Sequence, residues 1–206
     1  MIHKFFPTSV YVAPLLSNPR QLKSFLKEVK SDVLKIRDFD LEGQDWSDSH
    51  YPGGYTSYSS IAELHQFSSV FAELRDHLDQ HVKKFARTLD ADLKNYPLSM
   101  TESWVNIMPP MCVHTGHIHP NASISGTFYV ETPKGSSPLK FEDPRLSSFM
   151  GAVPKKPQVK DMNRHFICVP AIEGQVTLFE SWLRHEVPPN TTQKDRLSIS
   201  FNYNWF

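Results

Sequence analysis

The chain lacks the usual marks of export, of a membrane span and of a polyanion partner. Only two cysteines, Cys112 and Cys168, occur in 206 residues. Two thiols cannot build a disulfide framework, and two reduced, mostly buried side chains are the expected state. No apolar run approaches the roughly 20 residues that cross a bilayer. The N-terminal stretch MIHKFFPTSVYVAPLL is broken by Pro7, Thr8, Ser9 and Pro14, which makes a poor signal-peptide core. The triplets Asn121-Ala-Ser123 and Asn190-Thr-Thr192 have the form of glycosylation acceptors, but without export that form carries no weight. Lys plus Arg and Asp plus Glu number 22 each, with no basic stripe, so nucleic acid is not an expected partner. Internal repeats are missing too. The default expectation that remains is a globular, cytoplasmic chain without a membrane partner. Its 39% hydrophobic and 12% aromatic content suffices for a real core, and its length fits one domain over residues 1–206.

The hydrophobic period divides that domain into a helix-rich part, 1–99, and a strand-rich part, 100–206. FPTSVYV, residues 6 to 12, reads as a first strand ending at Pro14. Asn18-Pro19 supplies an N-cap and a first-turn proline, and Leu22, Phe25, Leu26 and Val29 recur at helical spacing. The polar, glycine-rich stretch 40–58 reads as a long surface loop leading to a short strand near Tyr55 to Tyr58. Ile61 through Leu89 keeps one apolar helical face, with Ser60-Ile-Ala-Glu63 in capping-box form and a break expected near Ser68-Ser69. His65, His77 and His81 on this segment read as surface or boundary residues. From residue 100 the period becomes 2: TESWVNIM, SISGTFYV, PLKFED, HFICVP, QVTLFE and RLSISFNYNWF alternate like strands between prolines and glycines. Helices followed by six or more strands point to an α+β fold, a helical layer on an antiparallel sandwich or barrel. Residues 143–163 form one long irregular insert, a length that often marks a lid.

HTGHIHP, residues 114–120, crowds three imidazoles before a proline. Residues i and i+2 of a strand face one side, so His117 and His119 can present two rings to one point, with His114 outside that alternation at the rim. His185 in SWLRHEVPPN follows a strand and precedes a double proline, a comparable position at a strand end. The last strand alternates cleanly. Arg196, Ser198, Ser200, Asn202 and Asn204 share one face, and Leu197, Ile199, Phe201 and Tyr203 the other. The polar face needs a wet or ligand-filled interior, because buried polar groups without partners are costly. An inward arginine beside serines suits an anionic ligand held by a bidentate guanidinium.

The runs HIHPNASISGTFYV, LKFEDPR, LFESWLRHEVPPN and RLSISFN resemble a family of 2-oxoglutarate/Fe(II)-dependent oxygenases of bacteria and their phages, related to the prolyl-hydroxylase type. The resemblance is specific from about Trp104 to Asn202. It implies a double-stranded β-helix, the jelly-roll or cupin-like core, with the N-terminal helices packed on one sheet and Fe(II) at an open end. It implies further that His117 and His185 are iron ligands, that Arg196 grips the far carboxylate of 2-oxoglutarate with Ser198 beside it, and that Tyr129 and Asn106 contact the same co-substrate. The implied reaction hydroxylates an unidentified substrate with O2 and releases succinate and CO2. His119 departs from the pattern: it stands where the common two-histidine, one-carboxylate triad has its carboxylate. Three neutral imidazoles can still hold Fe(II), and the 2-oxoglutarate dianion would neutralise that shell. His117, His119 and His185 are therefore the expected metal ligands; the alternative is that His119 stays outside and leaves a two-histidine site. Glu186 is a poor replacement, since as the neighbour of His185 it should face the opposite side.

Other residues have simpler readings. Trp104, Trp182 and Trp205 read as core or rim aromatics, Phe128 as core, and Gly126 as a bulge or close backbone approach. Glu142-Asp143-Pro144-Arg145 reads as a turn with an internal charge pair, and His165 as structural. Segments 40–58, with His50 and Tyr51, and 143–163 are the candidates to cover the opening. The aromatic C-terminus YNWF could serve a homo-oligomer. Two further functional classes fit the same histidines: a cupin-type metal-dependent dioxygenase or isomerase that does not use 2-oxoglutarate, and a non-catalytic jelly-roll binding module. Arg196 with Ser198 separates the oxygenase from the cupin-type reading, and metal content with iron reconstitution separates out the binding module.

Overall fold

The structure is a computed structural model and describes residues 1–205. Its frame is a pair of antiparallel sheets with helices on the outer face of the larger one. In chain order the elements are β1 (Val10–Pro14), α1 (Pro19–Phe39), α2 (Leu41–His50), β2 (Tyr55–Thr56), α3 (Ser69–Thr88), β3 (Leu98–Met108), β4 (His114–His117), β5 (Ile124–Glu131), β6 (Leu139–Glu142), β7 (Phe166–Val169), β8 (Gln175–Glu180), β9 (His185–Val187) and β10 (Arg196–Trp205). The major sheet runs β1-β8-β5-β10-β3-β2 and the minor sheet β4-β9-β6-β7. This is an α+β fold whose two sheets resemble the double-stranded β-helix core, without closing into a barrel. The division near residue 100 is softer than the period change suggests, because β1 and β2 from the N-terminal part lie on the two edges of the major sheet.

The helices form where caps and apolar spacing coincide. Asn18 Oδ1 accepts from the amides of Arg20 and Gln21, and α1 buries Phe25, Leu26, Val29, Val33 and Ile36. Ser68 caps α3 by accepting from the Phe71 amide, and Phe71, Leu74, Leu78, Val82 and Phe85 face inward. The break expected near Ser68-Ser69 is therefore a helix start. The capping box expected at Ser60 does not form, because Ser60 Oγ donates to Asp40 Oδ2 instead.

Alternation decides what faces the helices. Leu197, Ile199, Phe201 and Tyr203 of β10 join Val105, Ile107, Phe128, Val130, Val176 and Leu178 in one cluster with α1 and α3. Gly126 on β5 belongs there as well: a Cβ would lie 2.6 Å from Leu178 Cδ2 and from the Phe201 ring, so only glycine lets that ring pack against the strand. A second cluster, with Met108, Leu139, Phe141, Phe179, Leu183 and Val187, fills the space on the minor-sheet side. The opposite faces of β10, β3 and β5 thus point their polar residues toward the minor sheet.

Three local expectations need correction. Residues 40–58 are largely helical rather than a loop, since α2 spans Leu41–His50. Asp40 builds that helix: its Oδ1 accepts from the Gly43 amide, and its Oδ2 accepts from Tyr55 and Ser60 hydroxyls. The first strand lies at Val10–Pro14 rather than 6–12, because β1 pairs with Gln175–Phe179 of β8 and that register begins at Val10. Cys112 is a buried free thiol as expected, whereas Cys168 is free but exposed on β7. The final residue of YNWF, Phe206, lies outside the described residues. Among the described residues no helix is long and apolar enough to cross a membrane.

Candidate metal centre

His117 and His185 are cross-strand partners on β4 and β9, and His185 also faces Phe141 on β6. The strand ends at His117, so His119 reaches the same point from the following turn rather than from strand alternation. Its backbone amide is fixed by the Ser181 carbonyl at 3.0 Å. One ligand atom from each of His117, His119 and His185 lies within 4.8 Å of the other two. The Nε2 atoms of His119 and His185 are 3.4 Å apart.

The rings are aimed by their far nitrogens. His117 Nδ1 meets the Thr115 carbonyl at 2.7 Å, and His185 Nδ1 meets the Leu183 carbonyl at 2.9 Å. A carbonyl can only accept, so in both rings Nδ1 carries the proton and Nε2 keeps a lone pair for a metal. The Asn202 side chain lies beside the His119 ring and works against the lowering of its pKa. Asn202 is itself held between Ser125 Oγ, which donates to its Oδ1 at 2.8 Å, and Glu102 Oε2, which accepts from its Nδ2 at 2.6 Å. Burial is the main reason all three rings stay neutral. It holds His185 down to about 3 and His119 to about 4, with His117 lowering both further, and it lowers His117 as well. Neutral imidazoles converging on one point form a donor set suited to a divalent transition metal.

His114 is more than a rim residue. It stacks on His117 at 4.7 Å and meets the Tyr51 ring at a tilt with centroids 5.2 Å apart, and burial pushes its pKa to about 3. Its ligand atoms nevertheless fall outside the three-histidine group. Glu186 turns away, as expected, and pairs with Lys140 at 2.7 Å.

Across a cavity lined by these rings stands the polar face of the major sheet, including Asn106, Met108, Arg196 and Ser198. Ser198 pairs with Asn106 on β3 and with Tyr129 on β5, which sets the three in one row. Arg196 is 2% exposed, yet no carboxylate among the described residues pairs with it. Its guanidinium has only Met108 Sδ at 3.4 Å, Ser198 Oγ at 3.3 Å and the Tyr129 ring at 5.1 Å from the centroid, and its Nε has no partner. Tyr129 Oη and Asn106 Oδ1 are also buried without partners. A buried, uncompensated cation is among the most costly arrangements in a protein interior. Its ordinary resolution is an anion in the adjoining space. Of the residues expected to hold metal or co-substrate, His117, His119, His185, Arg196, Ser198 and Asn106 line this one cavity, whereas Tyr129 does not line it and meets it through the guanidinium over its ring.

That cavity shares Trp104, His114, His117 and His119 with an outer cavity of about 600 Å3. Segment 40–58 walls the outer cavity through Trp46, His50, Tyr51, Pro52, Thr56 and Tyr58, whereas residues 143–163 contribute nothing to it. The latter segment instead folds back on the β6–β7 side, where the Asp143 amide donates to the His165 carbonyl and Phe149 packs on His165. The charge pair expected in that turn is present, Arg145 to Asp143 at 2.8 Å. Trp104 is buried and stacks on His119 at 5.8 Å, while Trp182 and Trp205 are exposed. Spacing alone could not reveal the contributions of Trp104, Glu102 and Asn202 to this region. They lie 15 or more positions from the histidine they surround and meet it only through the β3–β10 pairing.

Comparison with known proteins gives a consistent picture. A family model described as "Putative 2OG-Fe(II) oxygenase" matches residues 102–202. No curated protein matches the chain by sequence. Among solved structures, the α-ketoglutarate-dependent epimerase SnoN of nogalamycin biosynthesis superposes with a TM-score of 0.65 at 13% identity, over 96% of this chain and 76% of that one. HygX from Streptomyces hygroscopicus, solved with nickel, 2-oxoglutarate and hygromycin B, gives 0.59 at 18% identity over 96% and 83%. A prolyl-4-hydroxylase from Pseudomonas putida gives 0.56 at 15% identity over 96% and 92%. At these identities the likeness is one of fold.

Proposed function

The chain belongs to the 2-oxoglutarate/Fe(II)-dependent oxygenase family, and on that premise we propose that it is a working hydroxylase with iron on His117, His119 and His185 and 2-oxoglutarate on Arg196. The observation that carries this reading is the buried, unpaired guanidinium of Arg196 facing the three imidazoles across one cavity. When bound there, iron and 2-oxoglutarate would supply the oxidising chemistry: one O2 is consumed, one oxygen atom enters succinate as CO2 leaves, and the other becomes the hydroxyl of the product.

The chain's own residues prepare that chemistry. Thr115 and Leu183 carbonyls fix the tautomers of His117 and His185, so the lone pairs are set before a metal arrives. Arg196 holds the distal carboxylate, and the Tyr129 hydroxyl, buried without a partner among the described residues, is the donor beside it. Asn106, whose Nδ2 donates to Ser200 Oγ, shapes the same cavity. Phe179, Leu139 and Val187 line the inner cavity beside the histidines and exclude bulk water from the reacting centre. The outer cavity admits the substrate over the exposed side of His117 and His119.

Titration of the anaerobic Fe(II) protein with 2-oxoglutarate tests the reading. A visible charge-transfer band should grow and saturate. In Arg196→Ala its midpoint should rise at least about 30-fold, since losing one partner of a buried charge pair costs on the order of 2 kcal/mol or more. Absence of any band from the wild type, with iron shown to be bound, contradicts co-substrate binding. A three-histidine cupin that does not use 2-oxoglutarate would bind iron equally well and give no such band, whereas an unchanged midpoint in Arg196→Ala would remove Arg196 from co-substrate binding.

A further inference from the structure

The outer cavity has a charge pattern of its own. Among the described residues no lysine or arginine lines it, and Glu102 is the sole carboxylate that does. The Glu102 side chain is half-buried, and its hydrogen-bond partner among the described residues is the Asn202 amide at 2.6 Å. A carboxylate has about four lone-pair positions, so one amide leaves most of its accepting capacity free. Aromatic rings share the cavity wall with it. Tyr58 and Trp104 meet edge to face with centroids 5.0 Å apart, and Trp46 stacks on His50 at 4.4 Å. All four line the same cavity. The Arg184 side chain packs against Gly116 and faces Glu142 at 3.6 Å, without lining the cavity.

Charge is thus sorted by depth. The inner cavity carries the uncompensated cation Arg196 and suits an anion, while the outer one offers a carboxylate and electron-rich ring faces. From this juxtaposition we infer that the substrate is an organic cation, whose ammonium or guanidinium head is received by Glu102 with the faces of Trp104, Tyr58 and Trp46 packed around its apolar part. The inference rests on the oxygenase reading for the word substrate, but the cation preference of the cavity stands on Glu102 and the aromatic walls alone. Carboxylate and aromatic faces both favour a positive charge, and each gains strength where water is excluded. Anionic substrates find no counter-charge in this cavity.

A matched series of probes decides the matter: phenethylammonium, 2-phenylethanol and 3-phenylpropanoate, titrated by calorimetry into protein loaded with Zn(II) and 2-oxoglutarate, and again into the metal-free protein. Phenethylammonium should bind at least 10-fold tighter than the alcohol, with the acid weakest and the amine's advantage shrinking as salt is raised. Glu102→Gln keeps an acceptor for Asn202 and removes only the charge, so it should bring the amine down to the affinity of the alcohol. Equal binding of amine and alcohol by the wild type, absence of amine binding, or a preference that survives Glu102→Gln overturns the inference. The two arms separate it from the reading it rests on. Failure to load metal or 2-oxoglutarate with the amine preference intact removes the oxygenase, whereas full loading with no preference removes the cationic substrate.

Discussion

At the scale of single residues, His119 carries the most consequence. An imidazole in place of the common carboxylate leaves a bound divalent ion with its full charge until an anionic ligand arrives, which is where a buried Arg196 pairing with a dianion becomes informative. The geometry also separates His119 from its neighbour His114, which stacks on the cluster without joining it. His185→Ala and His119→Ala should each lower iron content well below one per chain after reconstitution and desalting, while His114→Ala should retain it. Equal iron in all three variants would contradict the assignment. Burial of these rings also has a stability consequence. Their folded pKa values, about 3 for His114 and His185 and about 4 for His119, lie below the roughly 6.5 of an unfolded histidine. As pH falls below about 6.5 the unfolded chain takes up protons first, so stability present above that pH is lost progressively toward pH 4. Thermal melts of the metal-free protein should therefore show Tm falling from pH 7 to pH 5, and His114→Phe should flatten the slope. A melting temperature that holds or rises over that interval would contradict burial of neutral rings.

At the scale of elements, what the sequence made legible was the periodic part. The β10 alternation, the Asn18-Pro19 helix start and the close approach at Gly126 all follow from local pattern, and each appears in the structure. Segment 40–58 did not, because its helix owes little to apolar spacing. It depends on Asp40, which touches Gly43 next door but also Tyr55 and Ser60, 15 and 20 positions away. Such a hub is invisible to any window of a few residues. Asp40→Ala should cost about 1–3 kcal/mol by removing a cap and orphaning buried hydroxyls, read as a shift in the urea midpoint, and should loosen the Trp46 side of the outer cavity. Gly126→Ala should cost a similar amount, about 1–3 kcal/mol, by overpacking against the fully buried Phe201 ring. A midpoint unchanged in Gly126→Ala would mean that the strand and ring are not in the contact described.

At the scale of the whole molecule, the two sheets divide the work. The minor sheet and the turns beside it bring the imidazoles, the major sheet brings the guanidinium and its polar row, and the helices bury the apolar side of the major sheet. Histidine spacing and the polar face of β10 were visible in the chain, but their meeting was not, since 66 positions separate His119 from His185. Only the antiparallel pairing of β4 with β9, and the packing of one sheet over the other, converts two separate patterns into one cavity. The most direct measurement is a crystal structure of the protein with Mn(II) and a non-reactive oxalyl analogue of 2-oxoglutarate, phased for the metal's anomalous signal. The account predicts one strong peak within bonding distance of ring nitrogens of His117, His119 and His185, with the far carboxylate of the analogue on Arg196. A peak elsewhere, or an analogue bound with Arg196 left unpaired, would contradict it.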